Sequence, residues 1–130
     1  MEKIDIIYWI NLEKSAERRE TFEKEVLPMF KDFNTQRFQA VDMTSEITSG
    51  RRTAGCSLSH LSCWRHAIFN NYKHIMILED DLKITVEKDD VFNTVNNLFT
   101  HYEDFTICNL AYNHIGEKGE DRKLKHNFYN

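Results

Sequence analysis

The sequence is poor in the residues that break a chain or staple it together. Only one proline and four glycines occur among 130 residues, which argues against a glycine-rich phosphate loop, a disordered linker and a repeat array. Its three cysteines cannot all pair with one another, so reduced, mostly buried thiols are expected rather than a disulfide framework. No apolar run approaches the roughly 18 residues that are needed to cross a bilayer.

The charge balance excludes a second set of functions. With 17 basic and 21 acidic side chains the net charge is −4, so no basic face indicates a nucleic-acid partner. The first residues lack the apolar segment and the small-residue cleavage site of a secretory signal. We therefore expect a cytoplasmic protein, and its length suits a single domain with a core of its own.

The apolar pattern predicts strands and helices in alternation. Short apolar or alternating segments are typical of strands, and apolar residues that recur every three or four positions are typical of helices. The expected strands cover residues 4–12, 37–41, 74–78 and 105–111, and the expected helices cover residues 15–27, 57–72 and 91–102. This order implies right-handed crossovers and an α/β fold, with a mostly parallel, twisted sheet covered by helices.

Two groups of residues are expected in the interior of this fold. The first comprises strand residues buried between the helical layers, namely Ile6, Tyr8, Ile10, Ile75, Ile77 and Ile107. The second is the wide apolar face of the middle helix, namely Leu58, Leu61, Trp64, Ala67 and Ile68. An amphipathic helix normally turns such a face toward the core.

Polar side chains gather where the first and third strands end. Asn11, Arg18 and Arg19 follow the first strand, and Glu79-Asp80-Asp81 follows the third. Ligands of parallel sheets bind outside the carboxyl ends of the strands. Three adjacent carboxylates repel one another, and a divalent cation with oxygen ligands, Mg²⁺ or Mn²⁺, would offset that repulsion. The alternative is a solvated strand end at which the acids only mark a turn.

Two other interpretations of the polar residues are weaker. A response-regulator receiver domain would carry its acidic pair after the first strand, whereas here the acids follow the third. Cys56, His60 and Cys63 fall at i, i+4 and i+7 of a helix, on one face, and are residue types that bind zinc. No fourth ligand is evident nearby, so packing cysteines are the favoured interpretation.

Four motifs occur in a fixed order over residues 4–82. They are YWINL with SAERR (residues 8–12 and 15–19), RFQAVD (37–42), GCSLSH followed by Trp64 (55–60), and ILEDDL (77–82). Together they resemble glycosyltransferase family 25, which holds bacterial lipooligosaccharide galactosyltransferases and related collagen galactosyltransferases. Four ordered motifs are much more specific than any one of them.

The resemblance implies a GT-A-like fold and a metal-dependent, inverting transfer. The donor would be a UDP-sugar, the sugar a hexose such as galactose, the cation Mn²⁺ or another divalent ion, and the acceptor a glycan or glycoconjugate hydroxyl. The chain is then the donor-binding domain, over residues 1–130, and it can be peripheral to a membrane that carries the acceptor. By analogy with a D-x-D motif, the resemblance assigns the metal to Asp81 and Glu79.

Donor contacts are expected from the polar residues of the four motifs. These are Asn11, Arg18, Ser59, His60, Glu79 and Asp80. Asn11 could equally cap the turn after its strand. Ser59 and His60 fall in the first turns of the expected second helix, where a helix N-terminus favours a diphosphate, although His60 could instead be a buried structural histidine.

The resemblance is incomplete in the second half of the chain. Chains of this family are longer, and the Leu-Gly turn that often follows their fourth strand is replaced here by Leu110-Ala111. No carboxylate is singled out by its spacing as the catalytic base. A non-catalytic nucleotide-sugar-binding module, or a truncated enzyme that lacks the acceptor-binding C-terminal part, is therefore the alternative.

Overall fold

The computed structural model describes residues 3–43, 52–102, 106–108, 110 and 128–129. Strands and helices alternate over most of this part of the chain. The elements are β1 (Ile6–Asn11), α1 (Ala16–Glu25), a 3₁₀ helix (Leu27–Phe30), β2 (Thr35–Gln39), α2 (Arg52–Phe69), β3 (Ile75–Glu79), α3 (Lys88–His101), β4 (Ile107–Cys108) and β5 (Phe128–Tyr129). The predicted α/β class is confirmed.

A three-stranded parallel sheet in the order β2-β1-β3 forms the centre of the fold. β1 pairs with both neighbours, with Ile7 opposite Thr35 on one side and opposite Met76 on the other. All six residues of β1 are buried, as the continuous apolar run predicts for a strand covered on both faces. Because the strands are parallel, their carboxyl ends meet at one edge of the sheet.

Helices cover both faces of this sheet. On one face, Ile7 and Trp9 pack with Phe22, and the Trp9 and Phe22 rings stack at 5.0 Å between centroids. The other buried members of this cluster are Val26, Phe30, Met76 and Val95. On the opposite face, the cluster consists of Ile6, Tyr8, Ile10, Cys63 and Ala67. Successive strand residues point to opposite faces, so this division fixes which helix each strand-end side chain will meet.

The middle helix buries a different face from the one predicted. Of the expected apolar face only Ala67 is buried, while Leu58, Leu61 and Trp64 are more than two-fifths exposed and Ile68 is 74% exposed. The buried face instead consists of small residues at four-residue spacing, Gly55, Ser59, Cys63 and Ala67. Small side chains let a helix approach its neighbours closely, and a Cβ on Gly55 would lie 2.8 Å from the carbonyl oxygen of Val41.

The fourth predicted strand does not join the parallel sheet. β4 pairs antiparallel with β5, Ile107 opposite Tyr129, in a separate two-stranded sheet. Ile107 is 48% exposed, so the prediction that it is buried between helical layers is wrong. Within the described residues the parallel sheet has three strands rather than the four expected, and β3 is therefore an edge strand. Ile75 and Ile77 on it are only partly buried.

The ends of some helices and strands differ from those predicted. α1 ends at Glu25 rather than at residue 27, and Pro28 lies in the first turn of the 3₁₀ helix that follows. Proline suits a first helical turn because its missing N–H has no partner there. Residues 44–51 lie outside the described residues, as do residues 105, 109 and 111 of the expected fourth strand. No described helix is long and apolar enough to span a membrane.

Candidate functional site

Asn11 lies at the centre of the carboxyl edge of the sheet and is only 1% exposed. Its Oδ1 accepts hydrogen bonds from Arg37 Nε at 3.1 Å and Nη2 at 2.9 Å. Its Nδ2 donates to the backbone oxygen of Ser15 at 3.2 Å and to Asp80 Oδ2 at 2.6 Å. The amide is therefore saturated by protein groups, and it ties β1 to β2, to the turn before α1, and to the end of β3.

Asp80 is held on the same face of the sheet as Asn11. Its side chain is 7% exposed, one carboxylate oxygen accepts from Asn11, and the other pairs with Arg18 Nη2. Its backbone N–H donates to the carbonyl of Ile10 at 3.1 Å. A buried carboxylate is tolerated when a cation and further donors satisfy it. Both oxygens are thus engaged, which makes Asp80 less available to a metal ion than the exposed Asp81.

Arg18 connects the buried acid to the exposed one. Its side chain is 48% exposed, and Nη2 lies 3.6 Å from Asp81 Oδ2 as well as beside Asp80. Positive charge in the first turn of a helix opposes the helix dipole. The two carboxylates offset that cost, and the exposed part of the guanidinium remains able to donate to an anion.

A second ionic group, which sequence reasoning missed, surrounds Glu13. Arg37 Nη2 lies 2.7 Å from Glu13 Oε2, and Arg19 Nη1 lies 3.6 Å from its other oxygen. The hydrogen bond and charge of Arg37 hold the pKa of Glu13 below its usual value. The available signal was an arginine within a strand, since a partly buried charge needs a partner.

The three acids after β3 point in different directions. Glu79, on the face opposite Asp80, turns toward α2, where its Oε1 lies 3.2 Å from His60 Nε2 and 3.7 Å from Cys56 Sγ. Asp81 is 69% exposed and contacts Arg18. Within the described ranges, the only group of three or more His, Cys, Asp or Glu ligand atoms close enough to share an ion is Cys56, His60 and Glu79.

Ser59 and His60 lie farther along α2 than predicted. The helix spans Arg52–Phe69, so both residues fall near its middle, and the prediction that they lie in its first turns is wrong. Ser59 is 1% exposed; its hydroxyl donates to the carbonyl of Gly55 at 2.8 Å and accepts from the N–H of Val41 at 2.8 Å. The His60 side chain lies at the protein surface, where it contacts Glu79.

Gly55 and Ser59 explain why two of the motifs occur together. Gly55 permits the close approach of α2 to the backbone of Val41, and Ser59 then satisfies the Val41 N–H. The RFQAVD and GCSLSH motifs are therefore two sides of one packing contact, next to the carboxyl edge of the sheet. Much of the residue pattern of these two motifs therefore serves packing.

Fold and site together define a mixed α/β domain in which helices flank a parallel sheet and charged residues crowd its carboxyl edge. This arrangement is compatible with a Rossmann-like glycosyltransferase domain. Residues 44–127 match the sequence model of glycosyltransferase family 25 (LPS biosynthesis protein). That match covers well over half of the chain, and the chain belongs to glycosyltransferase family 25. The family resemblance predicted from the motifs is confirmed, and membership supports glycosyltransferase activity with a donor and an acceptor as substrates.

No match was found among curated proteins or among solved structures. The family match begins after the YWINL and RFQAVD motifs and includes the GCSLSH and ILEDDL motifs.

Proposed function

We propose that this protein transfers a hexose, galactose in the first instance, from a UDP-sugar to a glycan hydroxyl with inversion, in a GT-A-like domain that requires a divalent cation. One observation carries the proposal beyond family membership. The exposed carboxylate of Asp81 and the half-exposed guanidinium of Arg18 stand side by side at the carboxyl edge of a parallel sheet. That edge is where such folds bind nucleotides.

Asp81 fits a hard cation better than its neighbours do. It is 69% exposed, whereas Asp80 has both oxygens engaged by Arg18 and Asn11. Mn²⁺ and Mg²⁺ keep several waters and take one or two carboxylates together with substrate phosphates. Asp81 would hold the cation, with Glu79 as the second carboxylate, and the bound cation would stabilise the charge that develops on the UDP leaving group.

The chain's own residues then divide into contact and positioning roles. Arg18 donates to a diphosphate oxygen, since the exposed part of its guanidinium faces the same side as Asp81. His60, which contacts Glu79 on the α2 side of the sheet edge, meets the ribose or sugar. Asn11, Asp80 and Ser59, which sequence reasoning proposed as donor contacts, hold this edge in shape through their buried hydrogen bonds.

Two assays test the proposal at different levels. Calorimetry with UDP should show binding that depends on Mn²⁺, and incubation with UDP-galactose and a lipooligosaccharide acceptor should give metal-dependent release of UDP. Equal UDP affinity with and without Mn²⁺ would rule out a metal role for the acidic triplet. Metal-dependent UDP binding without transfer to any glycan would instead identify a nucleotide-sugar-binding module.

A further inference from the structure

Three ligand-type side chains converge on the α2 side of β3, away from the Asn11 and Asp80 network. Cys56 and His60 are one turn apart on α2, and Glu79 ends β3. The Cys56 Sγ atom lies 3.7 Å from Glu79 Oε1, His60 Nε2 lies 3.2 Å from the same oxygen, and all three ligand atoms lie within 4.8 Å of one another.

These separations are those of ligands around a tetrahedral zinc ion. With metal–ligand distances of about 2.0–2.2 Å for nitrogen and oxygen and about 2.3 Å for sulfur, tetrahedral angles place nitrogen and oxygen about 3.3 Å apart and sulfur and oxygen about 3.6 Å apart. The observed 3.2 Å and 3.7 Å agree closely with both values.

The zinc interpretation of the sequence named Cys63 as a ligand together with Cys56 and His60. The structure turns Cys63 into the core at 0% exposure, and burial raises the pKa of its thiol to about 12. Glu79 takes the place of Cys63 as the third ligand. The sequence alone does not predict this, because the place of Glu79 beside α2 depends on the pairing of β3 with β1.

The charges of the cluster suit a dication. On binding, the Cys56 S–H bond breaks, its proton leaves to solvent, and sulfur donates its electron pair to the metal. One thiolate and one carboxylate then balance two positive charges, with a neutral imidazole as the third ligand.

We propose that Cys56, His60 and Glu79 form a three-ligand site for a borderline-soft divalent cation of the zinc class, with a fourth position open to water or to an oxygen of a bound ligand. Cys56 is exposed, and the side chains of His60 and Glu79 are 29% and 50% exposed, so the site opens to solvent. Three protein ligands with one open position are the arrangement of zinc sites that bind or polarise a ligand, whereas structural zinc sites close all four.

This site shares Glu79 with the hard-cation site proposed at Asp81 but differs from it in its other ligands. A thiolate and an imidazole select zinc or cobalt, whereas Mn²⁺ and Mg²⁺ prefer oxygen ligands. Glu79 is common to both proposals, so the decisive changes are Cys56→Ser and His60→Ala, which leave Asp81 and Arg18 untouched.

The test is a Co²⁺ titration of the chelator-treated full chain, followed by displacement with Zn²⁺. We expect one equivalent of Co²⁺ to give a thiolate-to-cobalt charge-transfer band and the visible bands of tetrahedral cobalt, both lost when Zn²⁺ is added. Cys56→Ser should abolish the charge-transfer band. Because even groups behind the direct ligands change metal affinity by about 10–100-fold, His60→Ala should weaken Zn²⁺ binding by about 100-fold or more.

Cys108→Ser and Asp81→Asn are the matched controls, since Cys108 lies outside the cluster and Asp81 belongs to the other proposed site. Both should keep the charge-transfer band. A band that persists in Cys56→Ser, or Zn²⁺ binding that His60→Ala leaves unchanged in a variant with native circular dichroism, would overturn the proposal. Loss of UDP binding in Asp81→Asn with the cobalt band intact would support a cobalt site that does not need Asp81.

Discussion

Asp80→Asn should destabilise the fold, although the substitution keeps the size and shape of the side chain. Asp80 accepts from Asn11 Nδ2 at 2.6 Å and pairs with Arg18, and its side chain is 7% exposed. An asparagine can offer an oxygen to only one of these donors and must turn its own NH₂ toward the other. A buried donor left without a partner costs about 1–3 kcal/mol. Arg18 can turn to water, because it is 48% exposed, so its share is small.

We therefore expect Asp80→Asn to lower the free energy of unfolding by about 2 kcal/mol, which for a domain of this size lowers Tm by roughly 8 °C. The control is Asp81→Asn, the same change one residue later. Asp81 is 69% exposed and its contact with Arg18 is 3.6 Å long, so this loss should stay below about 1 kcal/mol. Calorimetric melts of both variants, without metal or nucleotide, provide the measurement. Equal Tm shifts would refute the division between a positioning Asp80 and an exposed Asp81.

Two further predictions concern packing and pH. Gly55→Ala places a Cβ 2.8 Å from the Val41 carbonyl oxygen, a backbone atom that cannot rotate away. We expect the free energy of unfolding, measured in urea, to fall by about 1–3 kcal/mol. An unchanged free energy of unfolding would disprove the close approach of α2. Asp5 Oδ2 accepts from the N–H groups of Lys73 and His74, and the His74 hydrogen bond is the main cause of its lowered pKa. A depressed folded-state pKa adds stability above the unfolded value, which is lost as pH falls through the folded value. Asp5→Asn should therefore make stability less dependent on pH below about 4, and an unchanged acid titration would contradict this.

The parallel sheet and the polar residues at its carboxyl edge were predictable because their signal is local. The unbroken apolar run of β1 predicts a strand buried on both faces, and β1 is buried over its whole length. The placement of Asn11 and Asp80 at adjacent strand ends follows from parallel pairing alone, and the structure joins them by a hydrogen bond. The family followed from four motifs in order, two of which lie within the family match.

The choice of buried face on α2 was not predictable from the apolar pattern. Leu58, Trp64 and Ile68 suggest the core, yet the helix packs through its smallest residues. Apolar periodicity ranks faces by hydrophobicity, whereas close packing against a strand and a backbone carbonyl selects small side chains. The signal that could have revealed it is the four-residue spacing of Gly55 and Ser59 with the cysteine and alanine that follow.

Long-range pairing accounts for the remaining errors. The segment that contains Ile107 has the composition of a core strand. Its strand β4 nevertheless pairs with β5 in a separate antiparallel sheet. Arg37 and Glu13 were missed because their ion pair forms only when β2 lies beside β1. Neither pairing leaves a mark within a window of neighbouring residues.

In the proposed function, Asp81 holds the cation to which a nucleotide diphosphate binds. UDP calorimetry with and without Mn²⁺ tests this role most directly. In the native chain, Mn²⁺ should be required for tight UDP binding. Asp81→Asn should lower the Mn²⁺-dependent affinity at least about tenfold, equivalent to about 1.4 kcal/mol, while Tm stays close to that of the native chain. UDP affinity that is unchanged in Asp81→Asn, or equal with and without Mn²⁺ in the native chain, would contradict the account.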